Sequence, residues 1–186
     1  MKVVCIFELA GTKGKLFAAQ FEGEEKDEKG KVQNAFSKLR AEWKDPTWFR
    51  SFFTEFRQDY FNFYGSAKLN SIVKEALDFA DDLFEELADH VISGDLESLF
   101  KPLENSEKDQ IYELQKLKVK GEERKSYLRL YAVRFRDEFV ITGGTVKLTR
   151  FMKDRPHTKL EIIRLEAAVE FLRQNDIEGK VVYIEK

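Results

Sequence analysis

Apolar and polar positions along the first part of the chain predict two strands followed by a helix. Residues 2–9 and 15–21 are short apolar runs joined by Gly11-Thr12-Lys13-Gly14, a spacing that favours a β-hairpin. From residue 32 the apolar positions recur at helical spacing up to Trp43. We therefore expect the chain to begin as a hairpin and to continue as a helix.

Two further helices are indicated by their end signals. Asp45 is a suitable cap and Pro46 a suitable first residue for a helix rich in aromatic residues, which runs until Gly65. A second apolar stripe covers residues 71–90, and Gly94 is its predicted terminator. The aromatic stripe is predicted to lie in the core, and a partner-binding groove or a dimer face is the alternative.

Strand patterns dominate the second half of the chain. The predicted strands, of which the last two are joined tightly at Gly143-Gly144, cover residues 110–120, 126–136, 138–142 and 145–149. Thr158 and Glu161 have the spacing of a capping box, which predicts a final helix over residues 158–174. Its predicted apolar seam consists of Leu160, Ile163, Ala167 and Phe171. Residues 181–184 predict an edge strand.

These elements predict an α+β fold: an antiparallel sheet packed by N-terminal helices, with an N-terminal β-hairpin and a C-terminal capped helix.

The charge is distributed unevenly along the chain, because residues 1–100 carry 13 basic and 19 acidic side chains and residues 101–186 carry 19 basic and 15 acidic ones. We expect one elaborated domain over 1–186. It comprises an acidic hairpin and helical part over 1–94, a basic sheet and helix over 95–175, and an edge strand within 176–186.

Several classes of protein are disfavoured by composition. Cys5 is the only cysteine, so the chain has neither an internal disulfide nor a CxxC metal pair. The apolar runs are shorter than the roughly 20 residues that cross a bilayer, and residues 1–10 lack the pattern of a signal peptide. We expect a cytoplasmic protein with no metal, no cofactor and no membrane partner.

Alternation along the predicted strands gathers cations on one face of the sheet. In residues 126–132, one face receives Leu128, Leu130 and Ala132 and the other receives Tyr127, Arg129 and Tyr131. The neighbouring strands add Lys116, Lys118, Lys120 and Lys147 to the second face. Such a face suits single-stranded RNA, because cations hold phosphates and aromatic rings stack on bases. An acidic peptide partner and simple solubilising lysines are the alternatives.

Short motifs in the second half occur in the order found in one known family. Lys101-Pro102-Leu103 resembles the KPL of that family, Ile111-Tyr112-Glu113-Leu114 resembles LYEL, and residues 127–131 resemble YRLLY. Residues 141–149 are similar to LLHGFVKKT, and the segment from Pro156 resembles TPxxEIxxA. Over residues 95–171 the chain thus resembles the RelE/ParE toxin superfamily, especially its HigB-like members.

The resemblance implies a metal-independent endoribonuclease that cleaves messenger RNA, often on the ribosome, and that a cognate antitoxin, such as a small helix-turn-helix protein, silences. Carried over by position, Arg129 and Lys147 would clamp the phosphate, and Lys118 would be a clamp or a base. Tyr131 would stack or donate a proton. His157 lies in the loop just before the final predicted helix, near the end of the Lys147 strand. It would serve there as acid or base, and an ordinary helix-entry contact is the alternative. We expect Lys116, Lys120, Arg150 and Arg155 to bind RNA as well.

The chain departs from the family pattern at two cationic positions. Gln115 replaces the arginine that usually follows LYEL, and Leu148 replaces the second lysine of KKT. The segment from residue 150 to residue 155 is also longer than in the family. A second hypothesis follows from these departures: a non-catalytic protein- or RNA-binding module that keeps a RelE-like sheet.

Overall fold

The computed structural model describes residues 1–65, 68–103, 114–120, 126–177 and 180–181, and its fold is the predicted α+β class. The helices are α1 (Ala35–Trp43), α2 (Pro46–Glu55), α3 (Arg57–Tyr64), α4 (Leu69–Ser93), α5 (Leu96–Leu99) and α6 (Pro156–Gln174). The strands are β1 (Val3–Glu8), β2 (Leu16–Phe21), β3 (Lys101–Pro102), β4 (Leu114–Lys120), β5 (Leu128–Phe135), β6 (Glu138–Val146), β7 (Asp176–Ile177) and β8 (Lys180–Val181). A 3₁₀ turn covers Met152–Asp154.

One sheet combines strands from both halves of the chain in the order β1-β2-β6-β5-β4-β3. The predicted N-terminal hairpin is confirmed, since β1 and β2 pair antiparallel. Strand β2 then pairs parallel with β6, whereas β6, β5, β4 and β3 pair antiparallel in turn. The predicted strand over 181–184 is seen only as Lys180–Val181, which pairs with β7 outside the main sheet. Residues 110–113 and 182–184 lie outside the described part.

The predicted helix ends are largely confirmed in the first half. The Asp45 carboxylate accepts a hydrogen bond from the Thr47 amide at 2.7 Å, and Pro46 begins α2. Gly94 ends α4 with a left-handed φ of 76°, which glycine adopts without steric cost. The predicted aromatic helix is divided at Phe56 into α2 and α3.

Helices cover both faces of the sheet. Helices α1, α2 and α4 pack on the face that carries Leu128, Leu130 and Ala132, where the aromatic residues Phe49 and Phe53 of α2 are fully buried. Helix α6 packs on the opposite face through Leu165, Ala168 and Leu172. The predicted core role of the aromatic stripe is thus confirmed for its buried members. None of the helices in the described residues is both long enough and apolar enough to cross a membrane.

The predicted turn at Gly143-Gly144 is wrong, because β6 runs through both glycines without a break. A Cβ atom at Gly143 would collide with Oε2 of Glu161, and one at Gly144 would lie 2.8 Å from Cδ2 of Leu39. The two glycines therefore let side chains of α6 and α1 approach the strand from opposite faces. The tight turn lies instead between β5 and β6, where Arg136 has a positive φ of 57°.

The predicted capping box at Thr158 is also wrong, because α6 begins at Pro156 and Arg155 takes the cap position. The Thr158 hydroxyl donates to the carbonyl oxygens of Met152 and Arg155, at 2.5 and 3.0 Å. Glu161 does not cap the helix but is buried. The buried side of α6 also differs from the predicted apolar seam. Its buried residues are Thr158, Glu161, Arg164, Leu165, Ala168 and Leu172.

Candidate nucleic-acid interface

Most of the predicted site residues line one open groove of about 690 Å³ beside α6, where the helix leaves part of β4 and β5 uncovered. We call it the basic groove. Six of its lining residues are cations and one, Glu166, is an acid. The residues that line it are Leu103, Lys116, Lys118, Lys120, Arg129, Tyr131, Lys147, Arg150, Phe151, Met152, Ile162 and Glu166.

Strand geometry brings the lysines of β4 next to the predicted clamp. Lys116, Lys118 and Lys120 alternate with buried residues, so they emerge on the same face of the sheet. In the antiparallel register Lys120 lies opposite Arg129, and Lys118 lies opposite Tyr131. The side chains of directly opposed residues are neighbours. The predicted shared cationic face is therefore present.

Arg129 is held by backbone carbonyl groups. Its Nη1 donates to the carbonyl oxygens of Ser126 and Leu128, at 2.9 and 2.6 Å. Burial lowers the pKa of its guanidinium, although arginine stays charged at neutral pH. Because a carbonyl group has no net charge, the positive charge of Arg129 is positioned but not cancelled by these bonds.

Lys147 follows β6 and is held in the same way. Its Nζ donates to the carbonyl oxygens of Thr149 and Arg150, at 2.9 and 2.8 Å. Burial lowers the pKa of this lysine, and repulsion from Arg129 and Lys118 lowers it further. A lysine in this environment releases its proton more readily than an exposed one.

The remaining lysines of the groove differ in their partners. Lys118 Nζ donates to the Leu103 carbonyl oxygen at 2.8 Å, which connects β4 to the end of β3. Lys116 lies 3.8 Å from the carboxylate of Glu166 on α6, a long contact between two exposed side chains. Such surface pairs contribute little to stability.

Phe151 is a site residue that the sequence reasoning missed. Its ring lines the groove and is 52% exposed, which is unusual for a large apolar side chain. The Arg150 guanidinium lies 5.2 Å from the ring centroid and Lys153 Nζ lies 5.8 Å from it. The signal in the sequence is a phenylalanine with cations one and two positions away, immediately after a cationic strand end. An exposed ring among cations is a suitable stacking surface for a nucleobase.

Tyr131 lies in the wall of the groove but is only 1% exposed. Burial raises the pKa of its hydroxyl. The predicted stacking on a base is therefore wrong for Tyr131, because its ring is covered. Tyr127 was expected on the same face, but it is fully buried on the other face, against Phe53 and Tyr60.

Two predicted site residues are placed away from the groove. His157 packs edge-on against Phe52 and Phe56, and its Nε2 lies 3.2 Å from the Val146 carbonyl oxygen. Arg155 forms a two-point ion pair with Asp59 of α3, at 2.6 and 2.5 Å. The first is a packing contact and the second joins α3 to the start of α6. The structure therefore does not bring either side chain to the cationic face.

The two departures from the family pattern are also explained by position. Gln115 is buried on the side of β4 that faces away from the lysines. Leu148 is 3% exposed and belongs to the core under α1, α2 and α4. Neither substitution removes a cation from the basic groove.

Comparisons of the chain with family models, with curated proteins and with solved structures find no match. The resemblance to RelE/ParE toxins therefore stays a prediction. Among the described residues, no group of three or more His, Cys, Asp or Glu side chains is arranged to hold a metal ion.

Proposed function

We propose that the basic groove binds messenger RNA and cleaves it without a metal ion, and that the protein is the toxin of a toxin–antitoxin pair. The observation that carries this proposal is the assembly of Arg129, Lys118 and Lys147 in one groove with a surplus of positive charge. The toxin role, its action in the cytoplasm and on ribosomes, and its silencing by an antitoxin come from the family resemblance.

The proposed reaction is an internal phosphoryl transfer. The 2′-oxygen of a ribose forms a bond to the adjacent phosphorus, the bond from phosphorus to the 5′-oxygen breaks, and a 2′,3′-cyclic phosphate remains. Lys147 is suited to accept the 2′-hydroxyl proton, since burial and neighbouring cations lower its pKa. Arg129 stabilises the negative charge on the phosphate oxygens, and Lys118 donates a proton to the departing oxygen.

Phe151 gives this groove a means of holding a base as well as a phosphate. Its exposed ring lies beside Arg150 at the groove margin, so one nucleotide can stack there while its phosphate contacts the lysines. The stacking role that sequence reasoning gave to Tyr131 is thus assigned to Phe151.

A non-catalytic protein- or RNA-binding module is the second candidate, and one observation favours it. His157 lies outside the groove and Tyr131 is covered, so two of the residues expected to transfer protons are not available there. Lysines then have to perform both proton transfers. Only catalysis requires these proton transfers, so their absence would not affect the binding of RNA or protein.

The deciding experiment compares wild type with Arg129→Ala/Lys147→Ala after induced expression in bacteria, by following growth and mRNA integrity. Arg57→Ala/Lys74→Ala is the matched control, because it removes the same charge from exposed positions on α3 and α4. We expect arrest and mRNA cleavage with wild type and control only, since loss of one electrostatic clamp typically costs about 10²-fold or more in rate.

Two other outcomes separate the candidates. Intact mRNA in every strain, together with RNA or protein binding that the groove variant loses, would support the binding module. Cleavage by the groove variant at the wild-type rate would overturn both assignments of this groove. Soluble expression of each variant is verified first, so that a folding defect is not taken for a loss of function.

A further inference from the structure

A second cavity, of about 330 Å³, lies on the other flank of α6. At about 100° per residue, Leu160, Glu161 and Arg164 point to one side of this helix and Ile162 and Glu166 to the other. The first three line the second cavity and the last two line the basic groove. The volume of the second cavity is at the lower end of the range found for cavities that hold small molecules.

Aromatic rings form one wall of this cavity. Trp48 and Phe52 of α2 stack with centroids 5.6 Å apart, and Phe56 lies 4.7 Å from Phe52. All three rings are only partly buried, so their surfaces are accessible from the cavity. The faces of aromatic rings attract cations through their negative electrostatic potential.

Carboxylates outnumber cations by three to two among the residues that line the cavity: Glu42, Glu55 and Glu161 against Lys38 and Arg164. Glu24 lies behind this lining and pairs with both cations. Both oxygens of Glu24 accept from Arg164 at 2.7 Å, and Glu24 also pairs with Lys38 at 3.2 Å. Arg164 donates in addition to Oε1 of Glu161 at 2.6 Å. In the part of the chain that the structure describes, this leaves Glu42 without an ion pair. Oε2 of Glu161 and Nε of Arg164, both buried, have no hydrogen bond there. Burial raises the pKa of Glu42, and it raises that of Glu161 to about 7.

His157 adds a further unused acceptor. A carbonyl oxygen only accepts hydrogen bonds, so the Nε2 of His157 carries the proton that reaches Val146. Burial lowers the pKa of this imidazole, which favours the neutral ring with an unprotonated Nδ1. That Nδ1 is buried and accepts no hydrogen bond in the described part of the chain.

The chemistry of the missing occupant follows from these walls. An anion would be repelled by the surplus of one carboxylate in the lining, and an apolar molecule would leave the Glu42 carboxylate without a partner. A molecule with N–H donors and a positive charge would satisfy the carboxylates and contact the rings. We propose that this cavity, the acid–aromatic pocket, binds a small organic cation, an amine or a guanidine, between its aromatic rings and its carboxylates. The proposal is independent of RNA cleavage in the basic groove.

Calorimetric titration of the purified protein with agmatine, which carries a guanidinium and an ammonium group, tests this proposal. Butylurea is the comparison probe, because it has a similar planar head without the charge. We expect saturable binding of agmatine and about tenfold or more weaker binding of butylurea. Failure to saturate with agmatine, or equal binding of the two probes, would overturn the proposal.

Substitutions of the lining residues test whether agmatine binds in this pocket. Glu161→Gln and Trp48→Leu should each weaken agmatine binding by about tenfold or more, one through charge and one through the ring. Glu170→Gln removes an exposed carboxylate of the same helix outside the pocket and should bind like wild type. Because Glu161 is buried, the folding of Glu161→Gln is verified by circular dichroism. If that variant does not fold, the test rests on Trp48→Leu. Unchanged affinity in a folded Trp48→Leu would contradict the assignment.

Discussion

The two flanks of α6 hold their charges in opposite ways. In the basic groove, Arg129 and Lys147 donate to backbone carbonyl oxygens, and cations outnumber acids by six to one. In the acid–aromatic pocket, Lys38 and Arg164 pair with carboxylates at 2.6 to 3.2 Å. A carbonyl group positions a cation and leaves its charge available, whereas a carboxylate cancels that charge.

This difference indicates what each set of charges contributes. A buried ion pair is strongly destabilised when one partner is removed, because the other stays behind uncompensated. Cations that repel each other contribute little to the fold, and their proximity is useful mainly to an anionic ligand. We therefore expect the loss of a paired charge beside the pocket to change stability, and the loss of a cation in the basic groove to change RNA binding.

Replacement of Arg164 is expected to have the largest effect. Arg164→Leu leaves Glu24 and Glu161 without their main partner, and we expect a loss of about 3–5 kcal/mol in the free energy of unfolding at neutral pH or above. The loss should be smaller at about pH 5, because Glu161, whose pKa is about 7, is then protonated and needs no partner. Urea unfolding at the two pH values measures both effects.

Arg173→Leu is the control for this prediction, because Arg173 is an exposed arginine of the same helix. It should change the free energy of unfolding by less than about 0.5 kcal/mol. If Arg164→Leu were as stable as that control, the pocket charges would not support the fold, and the contrast with the basic groove would be lost.

Replacement of Phe151 tests the other flank of α6 and rests on the proposed RNA binding. Phe151→Ala should weaken binding of single-stranded RNA by about tenfold, since stacking of one base contributes about 1–3 kcal/mol. Phe61→Ala is the matched control, because the Phe61 ring is 53% exposed on α3, against 52% for Phe151. Fluorescence anisotropy with a labelled oligonucleotide measures both variants.

Equal RNA affinity of these two phenylalanine variants would remove Phe151 from the site. Stability should change little and by similar amounts in both, because about half of each side chain is exposed. A large loss of stability in Phe151→Ala would instead indicate that the ring supports the loop between β6 and α6.

Much of the fold could be predicted because its signals are local. Asp45-Pro46 and Gly94 act within one helical turn, and they mark helix ends in the structure as the sequence indicates. The alternation of side chains between the two faces of a strand is equally local, so the lysines of β4 could be assigned to one face from their spacing alone. The cationic part of the candidate site followed from that assignment.

The wrong predictions depend on contacts between distant parts of the chain. Gly143-Gly144 has the composition of a turn, but the approach of Glu161 and Leu39 from opposite faces requires glycine in a continuous strand. Glu161 has the spacing of a capping residue, but its partner Arg164 allows it to be buried. His157 does lie at the end of β6, beside the Val146 carbonyl oxygen, as its place in the sequence indicates. It faces the rings of Phe52 and Phe56 and not the cationic face, and the local pattern did not predict these rings there.

The smallest predicted effect gives the sharpest contrast between the two flanks. Lys147→Met keeps an unbranched side chain one atom shorter than lysine and removes a charge that Arg129 and Lys118 repel. We expect the free energy of unfolding to stay within about 1 kcal/mol of wild type, because the lost hydrogen bonds to Thr149 and Arg150 are offset by relief of this repulsion. The same variant should lose RNA cleavage if Lys147 accepts the 2′-hydroxyl proton. Urea unfolding and a cleavage assay on one preparation measure both quantities, and a variant that unfolds as readily as Arg164→Leu would show that Lys147 supports the fold rather than the reaction.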